Sequence, residues 1–309
     1  MVKRTLPFLF ACLLTVLFAC SIEEARPLAH KKLVIASDFL YPKDEKYFAS
    51  FAKDKHAKIE IVHMSADSIQ YRLKKDAYNT PIDVVMVQSL LSLQALEQQA
   101  FQEMDAETKS QLTVLQSFQK NWLLIARDPF VISFLKDSLE KPKTYRDLST
   151  DYLWTSPDFT SLEVLKAQVR FQFQHQKKHR KNQPGLKEWL RGLKDHRISY
   201  QEGSDSTAST QLLLLKYSAY LQNRPLAKSK NRKVLFPPRL YFDYFAMAIV
   251  PQARDYALSK SFVVYWNGNA LEKSFLRPFG MTALPKEKKK QGFYIAPKEI
   301  FNLLAKESN

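Results

Sequence analysis

Lys32-Leu33-Val34-Ile35-Ala36-Ser37-Asp38 opens a segment, running to Ala100, in which one unit occurs three times. A short apolar run ends in a small polar pair, and a helix-like segment follows. The second run is Ile59-Glu60-Ile61-Val62-His63 before Met64-Ser65, and the third is Ile82-Asp83-Val84-Val85-Met86-Val87 before Gln88-Ser89. Runs this short, rich in β-branched residues and bounded by turn residues or charges, predict strands rather than helices. Strand, helix and strand in succession imply parallel pairing with right-handed crossovers, hence an open α/β sheet. Ligands of such sheets sit beyond the carboxyl ends of the strands. Ser37, Asp38, Ser65, Gln88 and Ser89 all fall at that edge and are the first candidate ligand-binding residues.

The segments between these runs have a helical pattern. Asp44–Lys53 places Tyr47, Phe48 and Phe51 on one face, and Ala66–Asp76 does the same with Ile69 and Leu73. Ser65 opens the second helix, where a serine caps free backbone N–H groups and where an anion would also be held. Ser89–Gln99 is the third helix.

At 309 residues the chain exceeds one typical domain and is expected to form two lobes. A hydrophobic content of 45% is enough for ordinary cores, which excludes a globally disordered chain. With only 6 Gly and neither GxGxxG nor GxxxxGK[ST], there is no nucleotide-binding loop to cradle phosphates. The formal charge is +16, and removal of a leader carrying Lys3 and Arg4 leaves +14, which favours anionic partners. The basic clusters His175–Lys181 and Lys286–Lys290 lack interleaved aromatics, so they read as solvated faces rather than nucleic-acid surfaces. His175 and His179 stand one helical turn apart, but their Lys- and Arg-rich surroundings repel a metal cation. Neither a Gly-x-Ser-x-Gly elbow nor a Ser–His–Asp set can be assembled, so no enzyme is predicted.

The N-terminus has the plan of a secretory leader. Met1-Val2-Lys3-Arg4 is a basic start, and Leu6–Ala19 is an apolar run too short for a comfortable membrane span. It ends Leu17-Phe18-Ala19-Cys20, which resembles the lipobox of bacterial lipoproteins; the resemblance implies cleavage before Cys20 and acylation there. Residues 20–31 then form a tether. Cys12 and Cys20 are the two cysteines, so the body of the chain has no disulfide framework and no Cys-based metal site.

Farther along, Trp122–Ala126 reads as a strand ending at Arg127-Asp128-Pro129, and Tyr152–Trp154 as one ending in the hydroxyl-rich Thr155–Ser161. Leu162 begins a long helix. Val234–Phe236 and Phe245–Val250 read as strands, and Arg254–Trp266 as an amphipathic helix.

This order of parts resembles the class II periplasmic solute-binding proteins of ABC importers, nearest the ferric-ion and molybdate-type receptors. Three passages carry the resemblance: Leu33–Ala100 with its strand-end serines; Lys141–Leu148 with Trp154–Ser161, similar to a Pro-x-x-Trp-x-Asp-Leu segment with Tyr145 in place of Trp; and Ala253–Pro285. Together they span nearly the whole mature chain. Ser65-Ala66-Asp67 and Phe159–Leu162 depart from the family by lacking its glycines, which restricts close backbone approach to a small ion.

The resemblance implies an α/β, type II two-lobe fold, each lobe a mixed sheet flanked by helices. Lobe 1 would take residues 32–117 and 251–309, and lobe 2 residues 118–250, with hinge crossings near 118–127 and 235–250. Ser156, Thr160 and Ser161 would then face Ser37, Ser65 and Ser89 across the cleft, with Arg127, Tyr241 and Tyr244 beside it. Ferric receptors of this kind use neighbouring tyrosines. Here two pairs stand three residues apart, Tyr217 with Tyr220 and Tyr241 with Tyr244, and either could ligate a hard cation or simply pack in the core.

The expected function is that of a lipid-anchored extracytoplasmic receptor that closes on a small anion, or on ferric ion carried with an anion, and delivers it to an ABC permease. No cofactor is expected; ferric ion enters only as transported ligand. The membrane is reached through the lipid, no nucleic acid is bound, and the chain is a monomer that faces the periplasm or lies at the cell surface. The alternatives are a surface lipoprotein of the same fold that binds a macromolecular polyanion through its basic face, and a lipid-anchored hydrolase.

Overall fold

The computed structural model describes residues 31–96, 99, 101–112, 116–119, 121–137, 142–143, 145, 154–155, 159–178, 198–199, 212–222, 228, 230–237, 241–266 and 276. Strand β1 (Lys31–Ser37) leads through a 3-10 turn, Pro42–Phe48, into helix α1 (Ala49–Asp54) and strand β2 (Ala57–His63). Helix α2 (Ala66–Asp76) and strand β3 (Val84–Val87) complete the repeated unit, followed by α3 (Leu90–Ala95) and α4 (Ala106–Gln111). Then come β4 (Gln116–Gln119), β5 (Trp122–Leu135), β6 (Trp154–Thr155), α5 (Phe159–Lys178), β7 (Ile198–Ser199), β8 (Leu212–Lys216), α6 (Tyr217–Gln222), β9 (Arg232–Leu235), β10 (Phe242–Ile249) and α7 (Tyr256–Tyr265).

The strands run in the order β2-β1-β3-β10-β5-β8-β6-β7, with β4 and β9 also paired to β5. β1 pairs in parallel with β2 and β3, as the repeated unit predicts, while β10 lies antiparallel between β3 and β5. β5 joins the two halves: residues 122–129 pair with β4 and β10, and residues 130–135 with β8 and β9. The strand therefore does not end at Arg127-Asp128-Pro129. Pro129 lies where one set of neighbours gives way to the next, and the ladder there loses little from its missing N–H. The helix expected over Asp44–Lys53 begins as the 3-10 turn, with Asp44 accepting the Tyr41 backbone N–H at 2.9 Å.

Alternation along β1 sends Leu33 and Ile35 to one core and Ala36 to another on the opposite face. The first core is aromatic: the Phe262 ring of α7 lies 5.4 Å from Phe48 and 5.3 Å from Phe51. The second packs Ile69, Leu90 and Leu93 against Val85 and Val87. Asp83 ties the start of β3 to its neighbours. One carboxylate oxygen accepts Val34 N–H at 2.7 Å and an Arg254 guanidinium N–H at 3.0 Å, and the other accepts Arg254 backbone N–H at 2.9 Å. The described Phe159–Lys178 helix starts three residues before Leu162, and Tyr217 and Tyr220 ride on a short helix directly after β8.

Candidate functional site

The carboxyl end of β1 turns on Ser37, whose buried Oγ accepts the backbone N–H groups of Phe39 at 3.3 Å and Leu40 at 3.1 Å. Asp38 Oδ1 accepts Gln88 N–H at 2.9 Å and so ties the end of β1 to the end of β3. Ser89 caps α3 by accepting Leu91 N–H at 3.2 Å. The serines at these strand ends thus hold the backbone in place. Ser65 does the same for α2, accepting Ser68 N–H at 3.2 Å, but it is exposed and its Oγ lies 2.9 Å from Ser68 Oγ.

Beneath this edge lies a buried charged hub. Asp243 of β10 is fully buried; its Oδ1 accepts Leu90 N–H at 3.2 Å and Tyr244 N–H at 2.8 Å. Directly across the ladder is Asp128 of β5, also fully buried, which accepts the Ser218 N–H at 3.1 Å and the Ser218 hydroxyl. Lys216, 3% exposed at the end of β8, puts its ammonium 3.6 Å from Asp243 Oδ2. Burial raises the carboxyl pKa of all three acids, Asp38, Asp128 and Asp243, and the charge of Lys216 opposes that rise in each case. For Asp128 the value is pushed up to about 7. Four strands and the first turn of α6 thus converge on three acids and one lysine, joining the two halves of the sheet.

Two further groups stand at the same edge. His63 ends β2; its Nδ1 lies 3.0 Å from the Leu40 carbonyl. A carbonyl only accepts, so Nδ1 carries a proton, and in the neutral ring Nε2 is left as the acceptor. The imidazole stacks on the exposed Tyr41 ring at 3.9 Å and 21°.

Arg127 on β5 lies with its guanidinium carbon 4.5 Å from the Phe242 ring centroid. Tyr241 donates its hydroxyl to Gln172 Oε1 on α5, and Tyr244 is buried in the core. Tyr217 and Tyr220 stack on each other at 6.2 Å, Tyr217 also meets Phe236 edge-on at 4.9 Å, and burial raises the Tyr220 phenol pKa. A raised phenol is harder to ionise, so Tyr220 acts first as a packing group. Gln88 is half-buried beside Asp38. Thr160 and Ser161 fall in the first turn of α5. Ser156 and Cys20, with most of Lys141–Leu148 and Ala253–Pro285 beyond Trp266, lie outside the described residues, as do His179 and Lys286–Lys290. No set of three or more His, Cys, Asp or Glu is arranged to hold a metal ion among the described residues.

Asp128, Asp243, Lys216, Ser218 and His63 are not among the residues predicted from the sequence. His63 alone carried a local signal, two positions before a strand-end serine. The hub residues are brought together only by tertiary pairing, Asp128 and Ser218 lying 90 positions apart.

Neither a family model nor a curated protein matches this sequence. Solved structures do. Iron-bound HitA from Pseudomonas aeruginosa superposes with a TM-score of 0.65 at 14% identity, over 90% of this chain and 97% of that one. The Trichodesmium IdiA/FutA protein, solved with iron and citrate, gives 0.67 at 15% identity, over 89% of this chain and 96% of its own. Apo ferric ion-binding protein A of Pasteurella haemolytica gives 0.68 at 15%, over 89% and 95%. This chain has the two-lobe α/β fold of the periplasmic binding proteins.

Proposed function

We propose that this protein is an extracytoplasmic solute receptor of an ABC import system, held to its membrane by acylated Cys20. Lobe 1 comprises residues 32–117 and 251–309, lobe 2 residues 118–250, and the tether residues 20–31. The observation that carries the reading is the position of the polar edge. Strand ends, a capped helix start and the exposed groups of Ser65, His63 and Tyr41 gather along the carboxyl edge of β1, β2 and β3. The superposed structures from Pseudomonas aeruginosa and Trichodesmium were solved with iron.

The ligand we infer is a small anion or ferric ion carried with an anion. Ser65 and the N-terminal turn of α2 suit the anion, and His63 Nε2 supplies a lone pair to a metal or to a ligand hydroxyl. The buried hub serves as the floor: the Lys216 ammonium stands against its acids, and it ties together the ends of β1, β3 and β8 and the start of β10. Ser156, Thr160 and Ser161 belong to the facing wall, and Arg127, Gln88, Tyr241 and Tyr244 to the margin. The tyrosine pair Tyr217/Tyr220 remains the candidate for metal contact. The protein acts as a monomer, performs no catalysis and passes its solute to a permease.

Native mass spectrometry of the protein as purified tests this, followed by a thermal-shift panel of oxyanions, carboxylates, phosphonates, ferric complexes and polyamines. A retained small anion or ferric complex, or stabilisation by one, is expected. No retained mass and no shift from any member would overturn the receptor reading; a shift from polyamines alone would overturn the anion assignment.

A further inference from the structure

We propose that the edge where β1, β2 and β3 start, opposite the polar edge, docks on an anionic lipid bilayer. Parallel pairing puts the starts of β1 and β2 side by side, with Lys31 opposite Ala57. α1 ends one turn before β2, and α2 runs back from Ser65 to finish at the same edge before β3. The cationic ends of both helices therefore collect there.

Several of these charges are already matched: Lys31 pairs with Asp255, Lys55 with Asp54, Lys32 with Glu60 and Arg254 with Asp83. Lys53, Lys58, Lys74 and Lys75 are exposed and take part in no ion pair among the described residues. Two tyrosines stand among them. Tyr78 is 84% exposed and Tyr71 63%, with the Lys75 ammonium 5.6 Å from the Tyr71 ring centroid. Lysines interspersed with exposed aromatic rings match an anionic headgroup layer, where the ring sits at the interface and the ammonium meets lipid phosphate.

The position of the chain start supplies the second reason. Ten residues, 21–30, separate Cys20 from Lys31, a reach of at most about 35 Å. Since β1 begins at this edge, an anchor at Cys20 keeps these lysines within reach of the bilayer, and their attraction to anionic lipid then turns this edge toward it. This orientation rests on the lipid-anchor reading; the affinity of the patch for anionic lipid does not.

The body of the chain is cysteine-free, so one thiol can be introduced and labelled once Cys20 is acylated. Two labelled forms of the full lipoprotein are reconstituted, Asn79→Cys beside the patch and Asp67→Cys at the opposite edge. On vesicles containing phosphatidylglycerol, energy transfer to a headgroup acceptor is expected to be several-fold stronger from position 79. The difference should vanish on phosphatidylcholine vesicles, and when Lys53, Lys58, Lys74 and Lys75 are all changed to Glu. Equal transfer from both positions on anionic vesicles, or a difference that survives the four substitutions, overturns the proposal. If the mass of the protein shows no lipid on Cys20, the anchor reading fails by itself. Vesicle co-sedimentation of the unacylated chain then decides the patch: at least about tenfold preference for anionic over neutral vesicles is expected, lost in the fourfold variant, and no preference refutes it.

Discussion

Replacing Lys216 with Met removes the one ammonium that, among the described residues, faces Asp38, Asp128 and Asp243, while keeping most of the side-chain volume. The ammonium lies 3.6 Å from Asp243 Oδ2, with Lys216 only 3% exposed and both Asp128 and Asp243 at 0%. At an effective dielectric constant of about 20, a charge pair at that distance is worth roughly 4–5 kcal/mol. Removing one partner of a buried pair costs about 3–5 kcal/mol. We expect a loss in that range at pH 8, where the carboxyls are pressed to ionise without a counter-charge. The raised carboxyl pKa values give the pH dependence its sign. A carboxyl that ionises in the folded state only near pH 7, as Asp128 does, binds its proton more tightly folded than unfolded. Its contribution to stability is therefore full below the unfolded carboxylate range and falls as pH rises toward 7. Without Lys216 the folded values climb further, so the fall is deeper and extends to higher pH. At pH 5, below the value of about 7 for Asp128, that acid is already protonated and the loss should be smaller than at pH 8. Urea denaturation at pH 5, 6.5 and 8 measures this. An equal loss at all three values would mean that Lys216 acts by packing alone, and a loss below about 1 kcal/mol at pH 8 would refute the hub as an electrostatic unit.

Asp128→Asn keeps an acceptor for the Ser218 N–H but cannot ionise, so stability between pH 5 and 8 should flatten by roughly 2–3 kcal/mol; unfolding curves across that range check it. Asp83→Ala leaves the buried Val34 N–H unmatched and frees Arg254 from its carboxylate, and should cost about 3 kcal/mol by chemical denaturation with no specific loss of ligand binding. Ser65→Ala should lower stability by about 1 kcal/mol as a lost cap and also weaken ligand binding about tenfold or more, whereas the buried Ser37→Ala and Ser89→Ala act chiefly on stability; calorimetric titration beside melting separates the two effects. Cys20→Ser should abolish incorporation of labelled fatty acid, and label retained by the variant would place the acyl group elsewhere.

The three opening units were legible because their signals are local. Val34-Ile35-Ala36, Ile59–His63 and Val84–Val87 are apolar runs of strand length, and each ends where a polar pair can turn the chain. Capping at Ser65 and Ser89 could be read in the same way, since the bond each makes spans two or three residues. The order of parts along the chain carried the two-lobe fold. The length of β5 was not legible: Asp128-Pro129 looks like a strand end, and only the exchange of neighbours from β10 to β8 lets the strand run through it. Nor did any local feature mark Tyr241 as bonded to Gln172 or Tyr244 as core. The hub was out of reach for the same reason. Asp128, Lys216 and Asp243 each sit in unremarkable strand sequence, and their mutual burial, their raised acid pKa values and their place beneath the polar edge arise from contacts up to 153 residues apart. A local pattern reports the conformation of a segment; the electrostatic energy of a buried group depends on which distant charges the fold brings within a few ångströms of it.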